Sequence, residues 1–343
     1  MAIRLGVIGG RETYELLRQG LVRSERRYAI NTPFGQAGTV FRVTAGGSSY
    51  YFLPRQGEED AQLPPSAINY RANVYALKEL GVQAILAWSG PAALVPDLPA
   101  GRFVLPDDLI DLTHRRDETF FERSRAGLVR QWPVFCPTLR RAGEQALTAL
   151  GLEATAGGTY VCTEGPRLDT PAEARLFANW GGTLVGMTLC PEVFLARELG
   201  MCYAALCYVT GCAEGLVVRY SSMEGCHPQG RTPAADGLGG ADTSHPQAPP
   251  TASGPLEGGT LIPHFTSDRA PGEREYVSGS IYRGLAAPAD LAAVETAVRR
   301  FPEVLQALLE ALADAPEDDP CRQTLARSRE PGLGDDWHAW LSP

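Results

Sequence analysis

The side chains best placed to do chemistry lie between Thr163 and Thr210. Polar residues in this stretch stand where apolar, strand-like runs end and helix-like patterns begin, which is where ligands bind in open α/β sheets. The proline of Cys190-Pro191-Glu192 indicates a helix start, so we expect backbone amides near Thr188 to face an anion. The alternative interpretation is an ordinary helix start without a ligand.

A loop after this stretch holds Cys212, Cys226 and His227, residue types that bind metals or take part in redox chemistry. The eight cysteines of the chain form no CxxC pair, which argues against a zinc ribbon or a disulfide framework, and we expect no metal. Most of them are predicted to be small buried apolar side chains. A nucleophilic Cys212 thiolate near a helix start is a further alternative.

Composition and charge exclude several classes of protein. With 343 residues, of which 44% are apolar, the chain is long enough to fill a core. Its net charge of -9 at pH 7 argues against a nucleic acid partner, because nucleic-acid-binding proteins usually carry a basic face. No signal peptide precedes the first apolar run, and no long apolar span follows it. We therefore expect a cytoplasmic protein that acts on a small molecule and has no membrane partner.

Short apolar runs bounded by glycine or proline predict the strands that position these residues. The predicted strands are Leu5–Ile8, Val40–Thr44, Tyr50–Leu53, Gln83–Ala87, Phe103–Leu105, Thr159–Cys162, Thr183–Val185 and Tyr203–Val209. The predicted helices between them are Asn69–Leu80, Leu139–Leu150, Pro171–Trp180 and Pro191–Leu199. Because strands and helices alternate, the predicted fold is α/β, with a mixed, largely parallel sheet flanked by helices. The residues Thr170-Pro171-Ala172-Glu173 form a predicted capping box.

The character of the chain changes between about residues 216 and 275, where Gly, Pro, Ser, Thr and Ala dominate and no periodicity remains. We interpret this segment as an insertion, because so few large apolar groups do not offset chain entropy. It is either a functional lid or a dispensable linker. Helical spacing resumes at Pro288 and predicts C-terminal helices at about 288–314, separated or kinked at Pro302.

Ordered motifs run from the first strand to the residues after Cys190. They are Gly6-Val7-Ile8-Gly9-Gly10, Asn31-Thr32-Pro33-Phe34-Gly35, Ile68-Asn69-Tyr70-Arg71-Ala72-Asn73, Ala76-Leu77-Lys78-Glu79, Glu164-Gly165-Pro166-Arg167, Ala172-Glu173, Met187-Thr188, Pro191-Glu192-Val193 and Ala196-Arg197-Glu198. Together they resemble the methylthioadenosine phosphorylase branch of the trimeric purine nucleoside phosphorylases, over roughly residues 4–210 plus the C-terminal helix. Members of that branch cleave the N-glycosidic bond of a purine nucleoside with phosphate, giving free base and pentose 1-phosphate. The resemblance implies this activity, a single domain spanning residues 1–343, a homotrimer, and phosphate as co-substrate with no cofactor.

The resemblance assigns phosphate binding to five positions. They hold Arg11, Arg55, Gln56, Ser89 and Thr188. Arg11 stands where the family has a threonine, and Gln56 stands where it has a histidine. Arg55, Ser89 and Thr188 keep a charged fork and two hydroxyl donors, the groups that an oxyanion needs. The alternative is that these are surface arginines and capping hydroxyls.

A second group of positions is implied to line the nucleoside. It comprises Gly90, Leu168, Gly186, Met187, Thr210, Gly211 and Ala213. Met187 resembles the methionine that stacks on the ribose, and Gly186 replaces an asparagine of the family. Glu164 and Arg167 are expected to order their turn rather than to touch the ligand. In the implied trimer, His114 and the segment Asp117–Phe121 are candidates for reaching a neighbour's sugar pocket.

The base-binding loop departs most from the family. Adenine-specific members follow the threonine with Asp-x-Asp, and 6-oxopurine members use an asparagine near the same place. Here Thr210 is followed by Gly211-Cys212-Ala213-Glu214. Without a proton donor at purine N7 the reaction loses a general-acid contribution of roughly 10²–10⁴-fold. Glu214 is the candidate catalytic acid, with Asp242 and His227 as alternatives.

Two functional hypotheses follow from this departure. In the first, the chain is an active pentosyltransferase whose substrate preference the loop has altered. In the second, it is a catalytically silent relative that binds a nucleoside or nucleotide as a sensor, scaffold or partner subunit.

Overall fold

The computed structural model describes residues 3–45, 48–58, 63–122, 129–213, 216 and 288–313, which all belong to one compact unit. The strands are β1 Leu5–Gly9, β2 Ser24–Tyr28, β3 Asn31–Thr32, β4 Gly35–Gln36, β5 Val40–Ala45, β6 Ser48–Pro54, β7 Ala84–Ser89, β8 Ala92–Ala93, β9 Phe103–Leu105, β10 Asp108–Asp111, β11 Ala154–Ala156, β12 Thr159–Cys162, β13 Gly182–Gly186 and β14 Cys202–Tyr208. The helices are α1 Arg11–Arg18, α2 Tyr70–Glu79, α3 Pro137–Ala149, α4 Pro171–Asn179, α5 Glu192–Glu198, α6 Pro288–Arg299, α7 Phe301–Ala313 and a 3₁₀ turn at Pro65–Ala67.

The larger sheet has eight strands in the order β11-β9-β14-β7-β1-β6-β5-β2. Its central strands β14, β7, β1 and β6 run parallel, and β9, β5 and β2 add antiparallel pairings. The register pairs Gly9 with Pro54 and Cys207 with Ser89, so the carboxyl ends of these central strands lie at one edge. The predicted mixed, largely parallel sheet is confirmed.

A second sheet of four strands, in the order β10-β12-β13-β8, carries the motifs around Thr163 and Met187. Strands β10, β12 and β13 are parallel, and β8 is antiparallel to β13. The chain passes from the larger sheet to the second through Gly90 and Pro91, because β7 ends at Ser89 and β8 begins at Ala92. This crossing brings the end of β7 close to the residues that follow β13.

The core forms because the central strands are apolar on both faces. Every residue of β1 and of β7 is buried, as expected for strands covered on both sides by helices or by a second layer. Trp88 on β7 meets Phe301 of α7 edge-on with ring centroids 5.0 Å apart. The C-terminal helix therefore packs on the same core as the strands that carry the predicted site.

Most predicted helix boundaries agree with the structure. The capping box is confirmed, since the Thr170 side chain accepts from the Glu173 amide and Glu173 accepts from the Thr170 amide. Helix α5 begins one residue later than predicted, because Pro191 caps it. The predicted separation near Pro302 is also confirmed, since α6 ends at Arg299 and α7 begins at Phe301.

The sequence patterns missed helix α1 and the strands β2, β3, β4, β8, β10 and β11. Helix α1 is rich in charged residues, and strand β2 reads Ser24-Glu25-Arg26-Arg27-Tyr28 with almost every residue exposed. Edge strands of this kind are stabilised by sheet pairing rather than by apolar burial, so hydropathy gives little signal for them. Within the described part of the chain, no helix is long and apolar enough to cross a membrane. The predicted insertion lies outside the described residues, apart from Leu216.

Candidate active site

Two hydroxyls that the resemblance assigned to phosphate meet at the edge of the larger sheet. Ser89 ends β7 and is buried, whereas Thr188 lies two residues beyond the end of β13. The Ser89 Oγ and Thr188 Oγ1 atoms are 3.0 Å apart, although 99 positions separate them in the chain. Either hydroxyl can donate to the other. The fold thus brings together two of the predicted phosphate residues.

Arg55 is held rigidly beside the ends of β1 and β7. Its Nε and Nη2 atoms donate to the Glu192 carboxylate at 2.8 and 3.2 Å, and Nη2 also donates to the Ile8 carbonyl at 3.1 Å. Its Nη1 atom donates to the Trp88 carbonyl at 3.4 Å. Burial alone would lower the pKa of Arg55, but the Glu192 carboxylate raises it above the ordinary value. The guanidinium therefore stays charged, and its contact with phosphate remains a prediction.

Gln56 and Glu12, a carboxylate that the sequence analysis missed, lie near Gly10, and Arg11 follows Gly10 as the first residue of α1. A Cβ added at Gly10 would lie 3.4 Å from Glu12 Oε2 and 3.7 Å from Gln56 Oε1. Burial raises the pKa of Glu12, and the charges of Arg11 and Arg55 offset only part of this effect. The position of Glu12, directly after the Gly-Gly motif and Arg11, is the signal that would have indicated it.

Tyr160 is a second residue that the sequence analysis missed. It lies on β12, is wholly buried, and its hydroxyl has no hydrogen-bond partner of good geometry among the described residues. A side chain at Gly186 would run into that hydroxyl, since an added Cβ would lie 2.8 Å from Tyr160 Cζ. The Tyr160 ring therefore fills the space that a side chain at position 186 would occupy.

Arg116 ties the two predicted motifs together. Its Nη1 atom donates to the Met187 carbonyl at 2.9 Å and to the Cys190 carbonyl at 2.5 Å. Its Nη2 atom donates to the Thr163 and Glu164 carbonyls at 3.2 and 2.7 Å. The Nε atom donates to the Glu164 carboxylate at 3.2 Å. A single buried guanidinium thus joins the turn after β12 to the segment after β13, a link that only the tertiary structure reveals.

The acidic turn is ordered as expected. The Glu164 carboxylate accepts from the backbone amides of His114 and Arg115 at 2.8 and 3.1 Å. Arg167 forms an exposed ion pair with Glu173 at 2.6 Å. Gly165 has a φ of 63°, and a Cβ added there would lie 3.3 Å from the Met187 Cγ atom. The turn therefore packs directly against the predicted ribose-stacking methionine.

The residues after β14 that were predicted to contact the base are held mainly by hydrogen bonds of their backbone groups. The Thr210 hydroxyl donates to the Pro91 carbonyl at 3.0 Å. The Ala93 amide donates to the Gly211 carbonyl at 2.7 Å, and the Ala213 amide donates to the Ala93 carbonyl at 2.8 Å. This segment is therefore joined to β8 by backbone hydrogen bonds, and no acidic side chain stands at position 211 or 213.

The structure also shows where two further residues that were predicted to line the nucleoside lie. Gly90 packs against the ring of Tyr208, which an added Cβ would approach within 2.7 Å. Leu168 lies on the surface with 48% of its area exposed. The roles of both residues toward a nucleoside remain predictions.

The alternatives based on cysteine, histidine and acid residues divide into two groups. Partial burial raises the pKa of the Cys212 thiol, which argues against the alternative of a stabilised Cys212 thiolate. No metal-ligating cluster occurs among the residues that the structure describes. The candidate acids Glu214, Asp242 and His227, together with Cys226, lie outside the described residues.

Comparison with known proteins identifies the family. A family model described as the phosphorylase superfamily matches residues 4–222. The chain belongs to this superfamily. It is 40% identical over 217 residues to a probable 6-oxopurine nucleoside phosphorylase from Moorella thermoacetica, covering 62% of this chain and 81% of the relative. It is 38% identical over 208 residues to S-methyl-5'-thioadenosine phosphorylase from Saccharolobus solfataricus, covering 60% and 76%.

A solved structure supports the same fold for this phosphorylase. Methylthioadenosine phosphorylase from Schistosoma mansoni, in complex with adenine, superposes with a TM-score of 0.66 at 23% identity. The match covers 95% of this chain and 96% of that chain. The predicted family resemblance and fold class are therefore confirmed, and the chain belongs to a superfamily of enzymes.

Proposed function

We propose that this phosphorylase transfers a pentosyl group from methylthioadenosine or a related purine nucleoside to phosphate. The C1′–N9 bond breaks with its electron pair passing to the purine, a proton reaches the purine ring, and a phosphate oxygen bonds to C1′. The products are free base and pentose 1-phosphate. The relatives of this chain include proteins named for both 6-oxopurine and methylthioadenosine substrates.

The observation that carries this proposal is the Ser89–Thr188 hydroxyl pair beside the buried Arg55. The developing oxocarbenium ion is stabilised by an anion held close to it, so hydroxyl donors and a fixed positive charge at one sheet edge suit the reaction. Arg55 needs no reorganisation during the reaction, because its ion pair with Glu192 already fixes it.

The experiment that tests the proposal is release of free base from methylthioadenosine, adenosine, inosine and guanosine, with and without phosphate. We expect phosphate-dependent release from at least one of them. Absence of base from every nucleoside under both conditions would contradict the proposal. The S89A and T188V variants provide the site control, since each removes one hydroxyl from the pair and is expected to raise the KM for phosphate about tenfold.

A silent relative that binds a nucleoside remains the second candidate. It is favoured by the loop after Thr210, where Gly211 and Ala213 offer no proton donor in their side chains. Isothermal titration calorimetry with purine nucleosides and phosphate separates the two candidates. Tight binding without turnover supports the silent relative, and turnover contradicts it.

A homotrimer in the cytoplasm completes the proposal. The His114 side chain is 70% exposed and lies 3.8 Å from Glu164, so it is available to a neighbouring subunit. Sedimentation equilibrium is expected to give three times the chain mass. A monomer at micromolar concentration would contradict this part of the proposal without affecting the chemistry.

A further inference from the structure

The Tyr160 hydroxyl is a buried polar group that makes no hydrogen bond of good geometry among the described residues. The whole residue is 0% exposed, and the hydroxyl oxygen has no hydrogen-bond partner among the described residues. Leaving such a group unsatisfied usually costs about 1–3 kcal/mol, so native proteins seldom retain one without a use. Phenylalanine would fill the same volume without this cost.

The surroundings of the Tyr160 hydroxyl indicate what it serves. It reaches across the sheet from β12 to Gly186, the residue that precedes Met187 and Thr188. Burial raises the pKa of Tyr160 well above its ordinary value, and the hydroxyls of Thr188 and Ser89 oppose that rise. A Cβ added at Gly186 would also meet Pro91, which lies two residues after Ser89, so the phenol lies near the segments that carry both hydroxyls.

The Ser89–Thr188 pair, as it stands, has too few hydroxyl protons to donate two hydrogen bonds to an anion. Ser89 and Thr188 have one hydroxyl proton each, and their mutual contact at 3.0 Å uses one of the two. Only one proton then remains for an anion. A third hydroxyl could donate to whichever oxygen of the pair accepts the mutual hydrogen bond. The hydroxyl that had donated within the pair could then donate to the anion instead, and the acceptor oxygen would still receive a hydrogen bond.

We propose that Tyr160 is a positioning residue of the oxyanion site, whose hydroxyl donates to the Ser89–Thr188 pair so that both of those hydroxyls donate to a bound anion. This inference rests on the proposed function for the identity of the anion, which is inorganic phosphate. It assigns Gly186 a role as well, since only a glycine leaves the phenol room to reach the pair.

The test compares Y160F with Y50F. Both variants remove a phenolic hydroxyl from a buried tyrosine, but Tyr50 lies toward the amino end of β6, away from the edge that carries Ser89. We expect Y160F to raise the KM for phosphate about tenfold, the size of one hydrogen bond, with the KM for nucleoside changed less than about twofold. The Tm of ligand-free Y160F should not fall, because without a bound anion the hydroxyl has no hydrogen-bond partner among the described residues. Y50F should match the wild type in both KM values.

A double-mutant cycle distinguishes positioning from a general packing role. If Tyr160 acts through Ser89, Y160F should have little further effect in the S89A background, and the two changes should be non-additive. G186A keeps the phenol but displaces it, and should raise the KM for phosphate as Y160F does. Additive effects of Y160F and S89A, or an equal rise in both KM values, would overturn the inference.

The shift in Tm caused by phosphate measures anion binding without turnover and separates this inference from the proposed function. If no base is released but Y160F reduces the phosphate-induced shift, the inference stands and the proposed function fails. If the wild type turns over nucleoside and Y160F has an unchanged phosphate KM, the inference fails and the proposed function stands. If phosphate neither shifts the Tm nor supports turnover in the wild type, both are wrong.

Discussion

The Arg55 guanidinium lies 2.8 Å from the Glu192 carboxylate, and the two side chains are only 1% and 2% exposed. The Tyr203 hydroxyl donates to the same carboxylate at 2.8 Å. This network links the residue after β6 to the first residue of α5 and to β14. Arg55 also donates to the carbonyls of Ile8 on β1 and Trp88 on β7, so the charge that the proposed reaction uses is fixed before any anion binds.

Removing the charge of Glu192 should destabilise the fold strongly. E192Q leaves Arg55 buried without its counter-ion, which typically costs about 3–5 kcal/mol. Urea denaturation measures the loss of unfolding free energy. The matched control is E295Q, because Glu295 pairs with Arg299 on exposed parts of α6 and should contribute less than about 1 kcal/mol. Equal losses in the two variants would contradict a structural role for the buried pair.

Arg116 should control both stability and activity. R116M removes the donors to the carbonyls of Met187 and Glu164 and leaves the half-buried Glu164 carboxylate without its ion pair to Arg116. We expect a loss of about 3–5 kcal/mol in unfolding free energy and a fall of at least about tenfold in kcat/KM. Arg115 is the matched control, because its side chain is exposed and R115M should behave like the wild type. A fully active and stable R116M enzyme would show that the two motifs need no such link.

Glu12 should make anion binding depend on pH. Burial raises its pKa, so the carboxyl is more often neutral than an exposed glutamate at the same pH. As the pH rises through that raised pKa, a negative charge forms beside Arg11 and Arg55 and weakens anion binding. Sulfate is the suitable probe, because its own charge is constant over this range. We expect sulfate to inhibit less as the pH rises, and E12Q to remove that dependence. The same trend in E12Q would assign it to another group.

The stability of the protein should follow the same titration. A carboxyl with a raised folded-state pKa contributes stability that is full below its ordinary value of 4.5 and is lost as the pH rises through the folded pKa. The unfolding free energy of the wild type, relative to E12Q, should therefore fall as the pH increases. A wild type that gains stability over E12Q with rising pH would mean that the raised pKa is wrong.

Gly165 and Gly151 form a matched pair for the turn beside Met187. Their φ values are 63° and 65°, so alanine suffers similar backbone strain of about 1 kcal/mol at each position. An added Cβ at Gly151 has no heavy atom within 4 Å, whereas at Gly165 it meets the Met187 side chain. G165A should therefore lose more stability than G151A and raise the KM for nucleoside. If both variants had identical kinetics, Met187 would not form part of the nucleoside site.

Several helices and strands could be predicted from the sequence because they depend on patterns of neighbouring residues. The apolar run Ala84–Ser89 predicts a buried strand, and the Thr170 and Glu173 pattern predicts a capped helix, since both signals come from neighbouring residues. The Met187-Thr188 motif was located by the same ordered resemblance. Strand β2 was missed because its stability comes from pairing with β5 rather than from its own apolar side chains.

The sequence by itself determined the class of fold, the family, and which hydroxyl and guanidinium groups were candidates for an anion. Tertiary structure decided how they are used. It placed Ser89 against Thr188, buried Arg55 on Glu192, joined two motifs through Arg116, and set the Tyr160 phenol where a side chain at position 186 would stand. These relationships join residues up to 137 positions apart, and only the register of strands from two sheets brings such residues together.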